Sequence, residues 1–277
     1  MTSEPTQLWA SSEAAERWRR TAAERQQAVG AATQAMLEAL RLQPGFRVLD
    51  LAAGTGDTSI LVARRVGPEG SVLAVDISAA MLQQAESAAK DEGLTTISTL
   101  VSDIEALELP PHSFDAALSR FGLMFLTDPA EGLRRIKRAL KPGARLAALV
   151  WASEDRNPFI SIGLSAARSV NRLPPEGSPM RRALSLGGPG MFEQTLRVAG
   201  FVNVEVKPAP IPREFESIDK ALESIKSNSA MVRELLGDLD DSGQQRVLDD
   251  MRRSLSQFVT DGGRCVVPGE ALLGVAS

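Results

Sequence analysis

Two stretches of sequence decide the fold of this chain: Val48-Leu49-Asp50-Leu51-Ala52-Ala53-Gly54-Thr55-Gly56-Asp57 and Val72-Leu73-Ala74-Val75-Asp76-Ile77. In each, a short apolar run ends in a carboxylate, and a helix-length interval separates the two runs. Gly54 and Gly56 can take backbone angles closed to other residues, so a ligand can approach the main chain there. Asp76 can accept hydrogen bonds from a ribose diol. The stretches predict a strand, a turn, a helix and a second strand that bind a nucleoside.

Dinucleotide-binding dehydrogenases share this pattern, but two residues argue against a dinucleotide here. The third glycine of their fingerprint, which allows close packing of helix on strand, falls at Ser59. Asp57 places an acidic side chain at the predicted helix N-terminus, where a pyrophosphate needs uncompensated N–H groups. Both residues favour a nucleoside without phosphates.

The chain resembles the class I S-adenosylmethionine-dependent methyltransferases, in particular the small-molecule enzymes of the ubiquinone/menaquinone C-methyltransferase-like group. The resemblance runs from about Pro44 to Trp151. It rests on four segments in order: Asp50-Leu-Ala-Ala-Gly-Thr-Gly56; Val75-Asp-Ile-Ser78 with Met81-Leu82; Ser102-Asp-Ile104 leading to Leu109-Pro110; and Ser113-Phe-Asp115 through Ser119-Arg-Phe-Gly122 to Leu140-Lys-Pro-Gly143. The resemblance implies S-adenosylmethionine as the cofactor. It also implies a doubly wound α/β fold with a mostly parallel, seven-stranded, Rossmann-like sheet, N-terminal helices and helical cover insertions.

The composition is that of a folded enzyme that acts on a small molecule. With 277 residues, 43% hydrophobic and 24% charged, the chain can form one large core or two modest ones. A net charge of -4 gives no basic footprint for nucleic acid or an anionic membrane surface. Its one cysteine, Cys265, excludes an internal disulfide framework and a cysteine-based metal cluster, and we expect no metal.

The sequence contains no signal for a membrane or for secretion. No apolar run approaches the roughly 20 residues that span a bilayer. The polar start Met1-Thr2-Ser3-Glu4-Pro5 differs from a secretion signal. We therefore expect a cytoplasmic protein with no membrane partner.

Strand and helix patterns alternate through the resembling region, which predicts a parallel sheet with helices on both faces. The predicted strands are Phe46–Leu51, Val72–Val75, Thr99–Val101, Ala116–Leu118 and Arg145–Trp151, and the predicted helices are Ser59–Val66, Ala79–Glu92 and Pro129–Leu140. Two further helices are expected between Leu8 and Leu42. Ligands of such sheets bind at the carboxyl ends of the strands, at the switch point.

After Trp151 the alternation stops, and we expect the following segments to cover the site. The predicted division is an N-terminal helical cap at 1–43, a cofactor-binding core at 44–152, a lid insertion at 153–190, and the rest of the core sheet at 191–277 with a helical insertion at about 217–260. The glycines of Leu186-Gly-Gly-Pro-Gly190 suggest a hinge for the lid, and a surface excursion is the alternative. The remaining predicted elements are a helix at Phe192–Ala199, a strand at Val202–Val206, and an antiparallel last strand within Val266–Val275.

The resemblance implies which residues face the methionine part of the cofactor. Main chain at Ala52, Gly54 and Thr55 is expected there, in the turn that Gly56 completes. Asp50 is expected near the ammonium group, directly or through water. Both Asp50 and Asp76 end buried strands, where a carboxylate without a partner is costly, so a role in packing alone is disfavoured.

The resemblance also implies the residues around the adenosine and the transferable methyl. Asp76 is expected to hold both ribose hydroxyls, while Ile77 and Met81 flank the adenine. Asp103 is expected to accept a hydrogen bond from the adenine amino group, and the Ile104 N–H to donate one to the ring. Ser119 is expected to line the wall beside the methyl. For Ile77 and Met81, an ordinary place in the core is the alternative.

The catalytic residues are unknown from the sequence, and no histidine or tyrosine base is expected. A sulfonium methyl is already electrophilic, so the enzyme must mainly hold a nucleophile in line with it. The chain contains one histidine, His112, and no tyrosine. His112 lies in a predicted turn before the fourth strand, on the side of the sheet away from the site. Any base is therefore Asp, Glu or the substrate itself, which favours C-methylation or an acceptor that ionises unaided.

Aromatic and apolar residues at two strand ends predict an acceptor pocket. The candidates are Arg120, Phe121, Met124, Phe125 and Trp151, with Trp9 and Trp18 from the N-terminal helices that fold over the pocket in relatives. Such walls suit a flat or greasy acceptor with a phenolate, enolate or carboxylate. Alternatively, most of these residues belong to the core and Arg120 pairs with a nearby carboxylate. The Phe-Gly-Leu-Arg-Asn run of the quinone enzymes is replaced by Phe121-Gly-Leu-Met-Phe125, which disfavours a quinone acceptor.

These residues predict S-adenosylmethionine-dependent C- or O-methylation of a small molecule, in specialised metabolism. Two alternatives stay open. A nicotinamide-dependent oxidoreductase of related fold would bind nicotinamide tightly instead of S-adenosylmethionine. A homologue that keeps the cofactor site without methyl transfer would act as a binding module or as a cofactor-assisted isomerase.

Overall fold

The computed structural model describes residues 11–176 and 178–277, and its central element is the predicted seven-stranded sheet. The strands are β1 (Arg47–Leu51), β2 (Ser71–Asp76), β3 (Ile97–Val101), β4 (Phe114–Arg120), β5 (Leu140–Trp151), β6 (Glu205–Pro210), β7 (Arg213–Phe215), β8 (Cys265–Val267) and β9 (Glu270–Ala276). The order across the sheet is β3-β2-β1-β4-β5-β9-β6, while β7 and β8 pair separately. β1 to β5 are parallel, and β9 is antiparallel to both its neighbours.

The switch point of the sheet lies at β1, which pairs with β2 on one side and with β4 on the other. In this register Leu51 is opposite Val75 and Ser119, so the carboxyl ends of the three strands meet at one edge. The order therefore brings the turn after β1, the end of β2 and the end of β4 together, as expected for a ligand site in an open parallel sheet.

Helices cover both faces of the sheet. They are α1 (Ser12–Arg20), α2 (Ala22–Ala39), α3 (Asp57–Val66), α4 (Ala79–Asp91), α5 (Pro129–Ala139), α6 (Pro158–Ser169), α7 (Pro179–Arg182), α8 (Met191–Val198), α9 (Ile218–Asn228), α10 (Ala230–Gly237) and α11 (Asp241–Ser256). Local sequence sets several starts: the Ser78 hydroxyl accepts the Met81 N–H at α4, and Asp128 caps α5 ahead of Pro129. No helix in the described ranges has the length and hydropathy that a membrane crossing needs.

Alternate residues of the buried strands supply two core layers. Leu49 and Leu51 of β1 face the layer that includes Ile136 of α5 and Phe192 of α8. Val48 faces the opposite layer with α2 and α3. Since side chains alternate along a strand, Asp50 projects toward the α3 face.

The segments predicted separately as a lid and as a helical insertion pack together. α6 contributes to one hydrophobic cluster with α9, α10 and α11, and the buried Cys265 of β8 belongs to the same cluster. We call these four helices with β7 and β8 the helical unit. The helical insertion predicted at about 217–260 consists of three helices, α9, α10 and α11.

The last strands differ in their bounds from the prediction. The strand predicted at Val202–Val206 lies at Glu205–Pro210, at the edge of the sheet, where Pro208 and Pro210 are tolerated because their missing N–H groups face no neighbouring strand. The break at Pro268-Gly269 separates β8, which pairs with β7, from β9 in the main sheet. The antiparallel direction predicted for the last strand is correct.

Candidate functional site

A cavity of about 230 Å³ lies at the carboxyl ends of β1, β2 and β4. Its walls come from the turn after β1, the ends of β2, β3 and β4, and one face of α1 and α2. The described lining residues are Trp18, Arg25, Ala28, Val29, Ala52, Ala53, Gly54, Asp57, Thr58, Asp76, Ile77, Met81, Ser102, Asp103, Ile104, Glu105, Arg120, Phe121, Gly122, Phe125, Leu126, Thr127 and Arg213. The cavity therefore occupies the switch point that the sequence predicted.

The turn after β1 follows from its small residues. Ala52 has φ 53° and Gly54 has φ 57°, and both line the cavity. Gly56 has φ 82°, and a Cβ there would lie 2.8 Å from Cβ of Ala85, so glycine lets α4 pack on the turn. Thr55 and Gly56 hold the turn in place and are outside the described lining.

Asp76 at the end of β2 braces this turn. Its Oδ2 accepts the Gly54 N–H at 2.8 Å, and its Oδ1 accepts the Ser78 N–H at 2.9 Å. The residue is 8% exposed, and burial raises the pKa of the carboxyl although these backbone hydrogen bonds oppose the rise. Each carboxylate oxygen can accept more than one hydrogen bond, so Asp76 retains acceptor capacity at the cavity wall.

Asp50 lies beneath the turn. Its Oδ2 accepts hydrogen bonds from Thr58 at 2.7 Å and from Ser59 at 2.6 Å, while its Oδ1 has no partner among the described residues. Burial raises the pKa of Asp50 to about 6, against the opposing effects of the two hydroxyls and of the Arg120 charge. The buried oxygen without a partner fits a cationic group above it, directly or through water.

Four residues implied to contact adenine line the other half of the cavity: Ile77, Met81, Asp103 and Ile104. Ile104 and Met81 are buried, and Asp103 uses Oδ1 to accept the Glu105 N–H at 2.9 Å. The structure thus brings the apolar side chains of Ile77 and Met81 and the carboxylate of Asp103 together in the cavity that Asp76 also lines.

Three predicted wall residues lie outside the described lining. Ser119 is fully buried and donates to the Leu51 carbonyl at 3.0 Å, so its hydroxyl joins β4 to β1 and does not face the cavity. Met124 is buried in the core against α5. Trp151 lies behind Phe121, with ring centroids 4.5 Å apart, and supports that wall from the back. Trp9 lies outside the described residues.

The end of β4 has an unusual backbone. Phe121 has φ 58°, an uncommon conformation for a bulky residue, and its ring lines the cavity. A Cβ on Gly122 would lie 2.4 Å from Cβ of Ala52 and 2.9 Å from Oγ of Ser119. The β4 loop therefore contacts the β1 turn closely, and that contact needs glycine.

Three charged side chains, which we call the arginine cluster, join the N-terminal helices to the core. Nη2 of Arg25 lies 3.3 Å and Nη2 of Arg120 lies 3.0 Å from Oδ2 of Asp57. Burial raises the pKa of Asp57, but the two guanidinium groups outweigh it and leave the pKa below its usual range. The Arg25 guanidinium also lies 4.0 Å from the centroid of the Trp18 ring, a cation–π contact.

Sequence reasoning found Trp18, Arg120 and Phe121 but missed the contribution of α2. Arg25 and Val29 line the cavity from this helix, and Arg213 reaches it from the helical unit. Trp18, Arg25 and Val29 recur at helical intervals, a signal that could have placed them on one face. No comparable pattern marks Arg213.

His112 lies at the opposite end of β4, as predicted. It occupies an exposed turn with φ 53°, and its Nδ1 is 3.1 Å from the Leu140 carbonyl oxygen. The titratable groups of the described lining are carboxylates and arginines. Among the described residues, no group of His, Cys, Asp and Glu side chains is arranged to hold a metal ion.

Comparison with known proteins finds similarity over the part of the chain that supplies most of the residues lining this cavity. A family model described as a methyltransferase domain matches residues 48–143. Residues 48–143 are therefore similar to a methyltransferase domain, and by that similarity we call them the methyltransferase domain below. The match includes β1 to β4, and hence the turn, Asp76 and the end of β4.

The methyltransferase domain is also the region of similarity to individual relatives. The chain is 40% identical over 121 residues to the ubiquinone/menaquinone biosynthesis C-methyltransferase UbiE of Hahella chejuensis, covering 43% of this chain and 48% of the relative. For UbiE of Stenotrophomonas maltophilia the identity is 43% over 120 residues, covering 43% and 47%. The chain spans about half the length of the curated relatives that it matches.

Solved structures confirm the fold around the methyltransferase domain. A SAM dependent methyltransferase from Aquifex aeolicus superposes with a TM-score of 0.52 at 23% identity, covering 69% of this chain and 88% of that one. The YcgJ protein from Bacillus subtilis gives a TM-score of 0.58 at 17% identity, covering 88% and 96%. The predicted Rossmann-like methyltransferase fold is therefore correct.

Proposed function

We propose that this protein transfers the methyl group of S-adenosylmethionine to a small, largely apolar acceptor, by C- or O-methylation. The observation that carries the proposal is the Asp76 carboxylate, buried at the cavity wall and held by the Gly54 and Ser78 N–H groups. A carboxylate in this position can accept hydrogen bonds from both hydroxyl groups of a ribose. The methyltransferase-domain match over 48–143 supports the same conclusion.

The fit of the cofactor rests on two further observations. Asp50 has one buried oxygen without a partner among the described residues, which suits the ammonium group of the methionine part. The left-handed backbone at Ala52 and Gly54 exposes main chain to the cavity. Ile77, Met81, Asp103 and Ile104 would then surround the adenine. When bound, the cofactor supplies an electrophilic methyl group on its sulfonium.

The work left to the protein is to orient the acceptor and to exclude water. Val29, Phe121, Phe125 and Leu126 provide an apolar wall, and Trp18 covers the Gly54 turn. Orientation of two reactants can supply roughly 7–11 kcal/mol of a barrier in favourable intramolecular systems. We therefore propose proximity and in-line alignment as the mechanism.

The cavity offers little base catalysis at neutral pH. Asp57 is the carboxylate that contacts Arg120 at the end of β4, and the two guanidinium groups hold its pKa below its usual range despite burial. A general base works best with a pKa near the operating pH, so Asp57 is a poor one. This favours an acceptor that ionises unaided or reacts at an electron-rich carbon.

We infer the cellular setting from composition. A net charge of -4 gives no basic footprint for nucleic acid or an anionic membrane surface, so we propose neither partner, and the cytoplasmic location expected from the sequence stays a proposal. The division into cap, core, lid and remaining sheet at 1–43, 44–152, 153–190 and 191–277 also stays a proposal, modified in that α6 packs with the later helices.

The test is calorimetry with S-adenosylhomocysteine, followed by mass spectrometry of reactions with S-adenosylmethionine and a panel of phenols, quinols, enols and amines. Asp76→Ala removes hydrogen bonds to a charged group, worth roughly 1.5–3 kcal/mol each, so affinity should fall about tenfold or more. Asp115→Ala is the matched control, because Asp115 pairs with Lys141 at the opposite edge of the sheet. Unchanged affinity in Asp76→Ala would remove the ribose assignment, and tight nicotinamide binding would favour the oxidoreductase.

A further inference from the structure

One wall of the cavity is a loop that depends on neighbouring segments for its position. We call residues 122–128, which join β4 to α5, the wall loop. Its residues Phe125, Leu126 and Thr127 line the cavity. The loop contains one 3₁₀ turn at Leu123–Phe125 and then continues into the start of α5. Side chains from two other segments hold its backbone.

The first of these supports comes from outside the cavity. Nη1 of Arg182 donates to the Thr127 hydroxyl oxygen at 2.8 Å and to the Phe125 carbonyl at 3.3 Å. The Ser185 hydroxyl donates to the Met124 carbonyl at 2.8 Å. Arg182 and Ser185 are not among the described lining residues. This support therefore does not depend on direct contact with a bound ligand.

The second support is Glu105, which does line the cavity. It belongs to the 3₁₀ turn after β3 (Ile104–Ala106). Its Oε2 accepts the Thr127 N–H at 2.9 Å, and its Oε1 accepts the Asp128 N–H at 2.6 Å. Because the two oxygens of one carboxylate bind two adjacent N–H groups, they fix the orientation of the wall loop as well as its distance from the turn.

Glu105 directly follows the two residues that the proposed function places at the adenine, Asp103 and Ile104. Oδ1 of Asp103 accepts the Glu105 N–H at 2.9 Å. The turn also packs on the wall loop and α5, since a Cβ on Gly132 would lie 3.3 Å from Cγ2 of Ile104 and 3.0 Å from Cδ1 of Leu126. A ligand that contacts Asp103 and Ile104 would restrain this turn, and the Glu105 carboxylate would extend the restraint to the wall loop.

We propose that Glu105 is a positioning residue, which fixes the wall loop for the acceptor when the cofactor occupies the adenine side of the cavity. The inference rests on the proposed function, which assigns Asp103 and Ile104 to the adenine and the wall loop to the acceptor. Arg182 and Ser185 hold the loop whether or not the cofactor is bound, whereas the hold by Glu105 strengthens on binding. The acceptor then meets a wall that the cofactor has already ordered.

Hydrogen exchange of the wall-loop amides, with and without saturating S-adenosylhomocysteine, tests this role. The ratio of the two exchange rates measures the effect of the ligand on the loop, and calorimetry establishes that each variant is saturated. In the wild type the ligand should slow exchange in 122–128 by at least about fivefold, the lower end of typical coupling between two sites.

Glu105→Gln should remove most of this effect. Its amide group turns a donor toward one of the two backbone N–H groups, so the ratio should fall to about twofold or less. Protection of the turn after β1 should persist, because Asp76 holds that turn. If this variant does not fold, Glu105→Asp replaces it. Its carboxylate is one methylene short of the two N–H groups, and the ratio should fall in the same way.

Two control variants loosen the same region and leave the Glu105 carboxylate in place. Arg182→Gln weakens the support from outside the cavity. Asp128→Ala removes the side chain that caps α5 at the Glu131 N–H, but keeps the backbone N–H that Glu105 accepts. Both controls should exchange faster than the wild type without ligand and keep a ratio of at least about fivefold.

Several results would overturn the positioning role and leave the proposed function standing. These are a smaller ratio in the wild type, an unchanged ratio in Glu105→Gln, and a ratio that falls as far in the two controls as in Glu105→Gln, which would indicate a general loss of stability. Loss of S-adenosylhomocysteine binding by folded Glu105→Gln would assign Glu105 to the adenine site itself, with the same consequence. Failure of the wild type to bind S-adenosylhomocysteine overturns the proposed function and the positioning role with it.

Discussion

Asp50 is a residue whose position costs stability before any ligand binds. Its carboxylate is fully buried, and only Oδ2 accepts hydrogen bonds from described residues. Burial raises the pKa to about 6, so the folded state binds a proton more tightly than the unfolded chain does. The difference from the ordinary value of 3.8 corresponds to about 3 kcal/mol of unfolding free energy.

The sign of this effect gives a prediction for Asp50→Asn. The stabilising contribution of the protonated carboxyl is present below pH 3.8 and is lost as pH rises through about 6. At pH 8 without ligand, Asp50→Asn should therefore unfold at higher urea concentration than the wild type. The gain should shrink toward pH 4, and S-adenosylhomocysteine should bind the variant less tightly.

The control for this experiment is Asp115, a carboxylate whose pKa is shifted in the opposite direction. Burial raises the pKa of Asp115, but Lys141 and the Arg47 N–H outweigh it, and the net pKa is lowered. Asp115→Asn should therefore lose stability at pH 8. A loss of stability at pH 8 in both variants would contradict the interpretation of Asp50.

At the scale of an element, the loop after β4 depends on a close contact with the turn after β1. Phe121 is held in a left-handed conformation by its N–H bond to the Leu149 carbonyl at 2.8 Å and by stacking on Trp151. Gly122 leaves no room for a Cβ against Ala52. The Phe121 wall of the cavity is thus fixed by a backbone hydrogen bond, by the Trp151 ring and by the close contact of Gly122 with Ala52.

Gly122→Ala should disturb the cavity without touching a charged group. The new methyl must push the Ala52 turn or Ser119 aside, and overpacking of this kind costs typically 1–3 kcal/mol. We expect a lower Tm and weaker S-adenosylhomocysteine binding, measured by thermal unfolding and calorimetry. Gly237→Ala is the control, because Gly237 ends α10 with open space around it. Equal affinity in Gly122→Ala and the wild type would show that the contact does not shape the site.

For the whole molecule, the question is which segment covers the cavity. The described lining includes α1 and α2 through Trp18, Arg25, Ala28 and Val29, and includes no described residue of 153–190. The predicted hinge is also restrained, since a Cβ on Gly187 would lie 2.5 Å from the Ala152 carbonyl. The lid at 153–190 stays a prediction, and the N-terminal helices α1 and α2 are the alternative cover of the cavity.

Hydrogen exchange separates these two covers. We expect S-adenosylhomocysteine to slow exchange in 12–29 markedly, because ligand contacts there oppose local opening. Exchange in α6 should change little, since its apolar face packs in the helical unit. Amides of β1 should exchange slowly with or without ligand. Strong new protection in 157–190 upon adding an acceptor, with none in 12–29, would favour the lid instead.

The sheet and the position of the cavity could be predicted because local signals and topology agree there. β1, β2 and the glycine turn are marked by apolar runs, carboxylates and small residues, and parallel order then brings Asp50, Asp76 and Asp103 to one region. Strand bounds failed at β6, where an edge position overrides the usual exclusion of proline.

The cavity wall at the end of β4 and along α1 and α2 could not be predicted in full, because it depends on contacts between distant segments. Ser119 and Met124 lie beside the correct strand end, but their side chains point into the core. Arg25 meets Asp57 only through the packing of α2, and Arg213 enters from the helical unit. For these residues, no local sequence pattern indicates whether the side chain faces the cavity or the core.

Cys265 gives the protein a chemical reporter of its own. It is the chain's one cysteine, it is buried in β8 against the helices of the helical unit, and burial raises the pKa of its thiol. A thiol reagent can modify it only when the helical unit opens. The rate of modification by an aromatic disulfide therefore measures how often these helices separate from the small sheet, and its dependence on ligand shows whether their opening is coupled to the cavity. No label has to be introduced for this measurement.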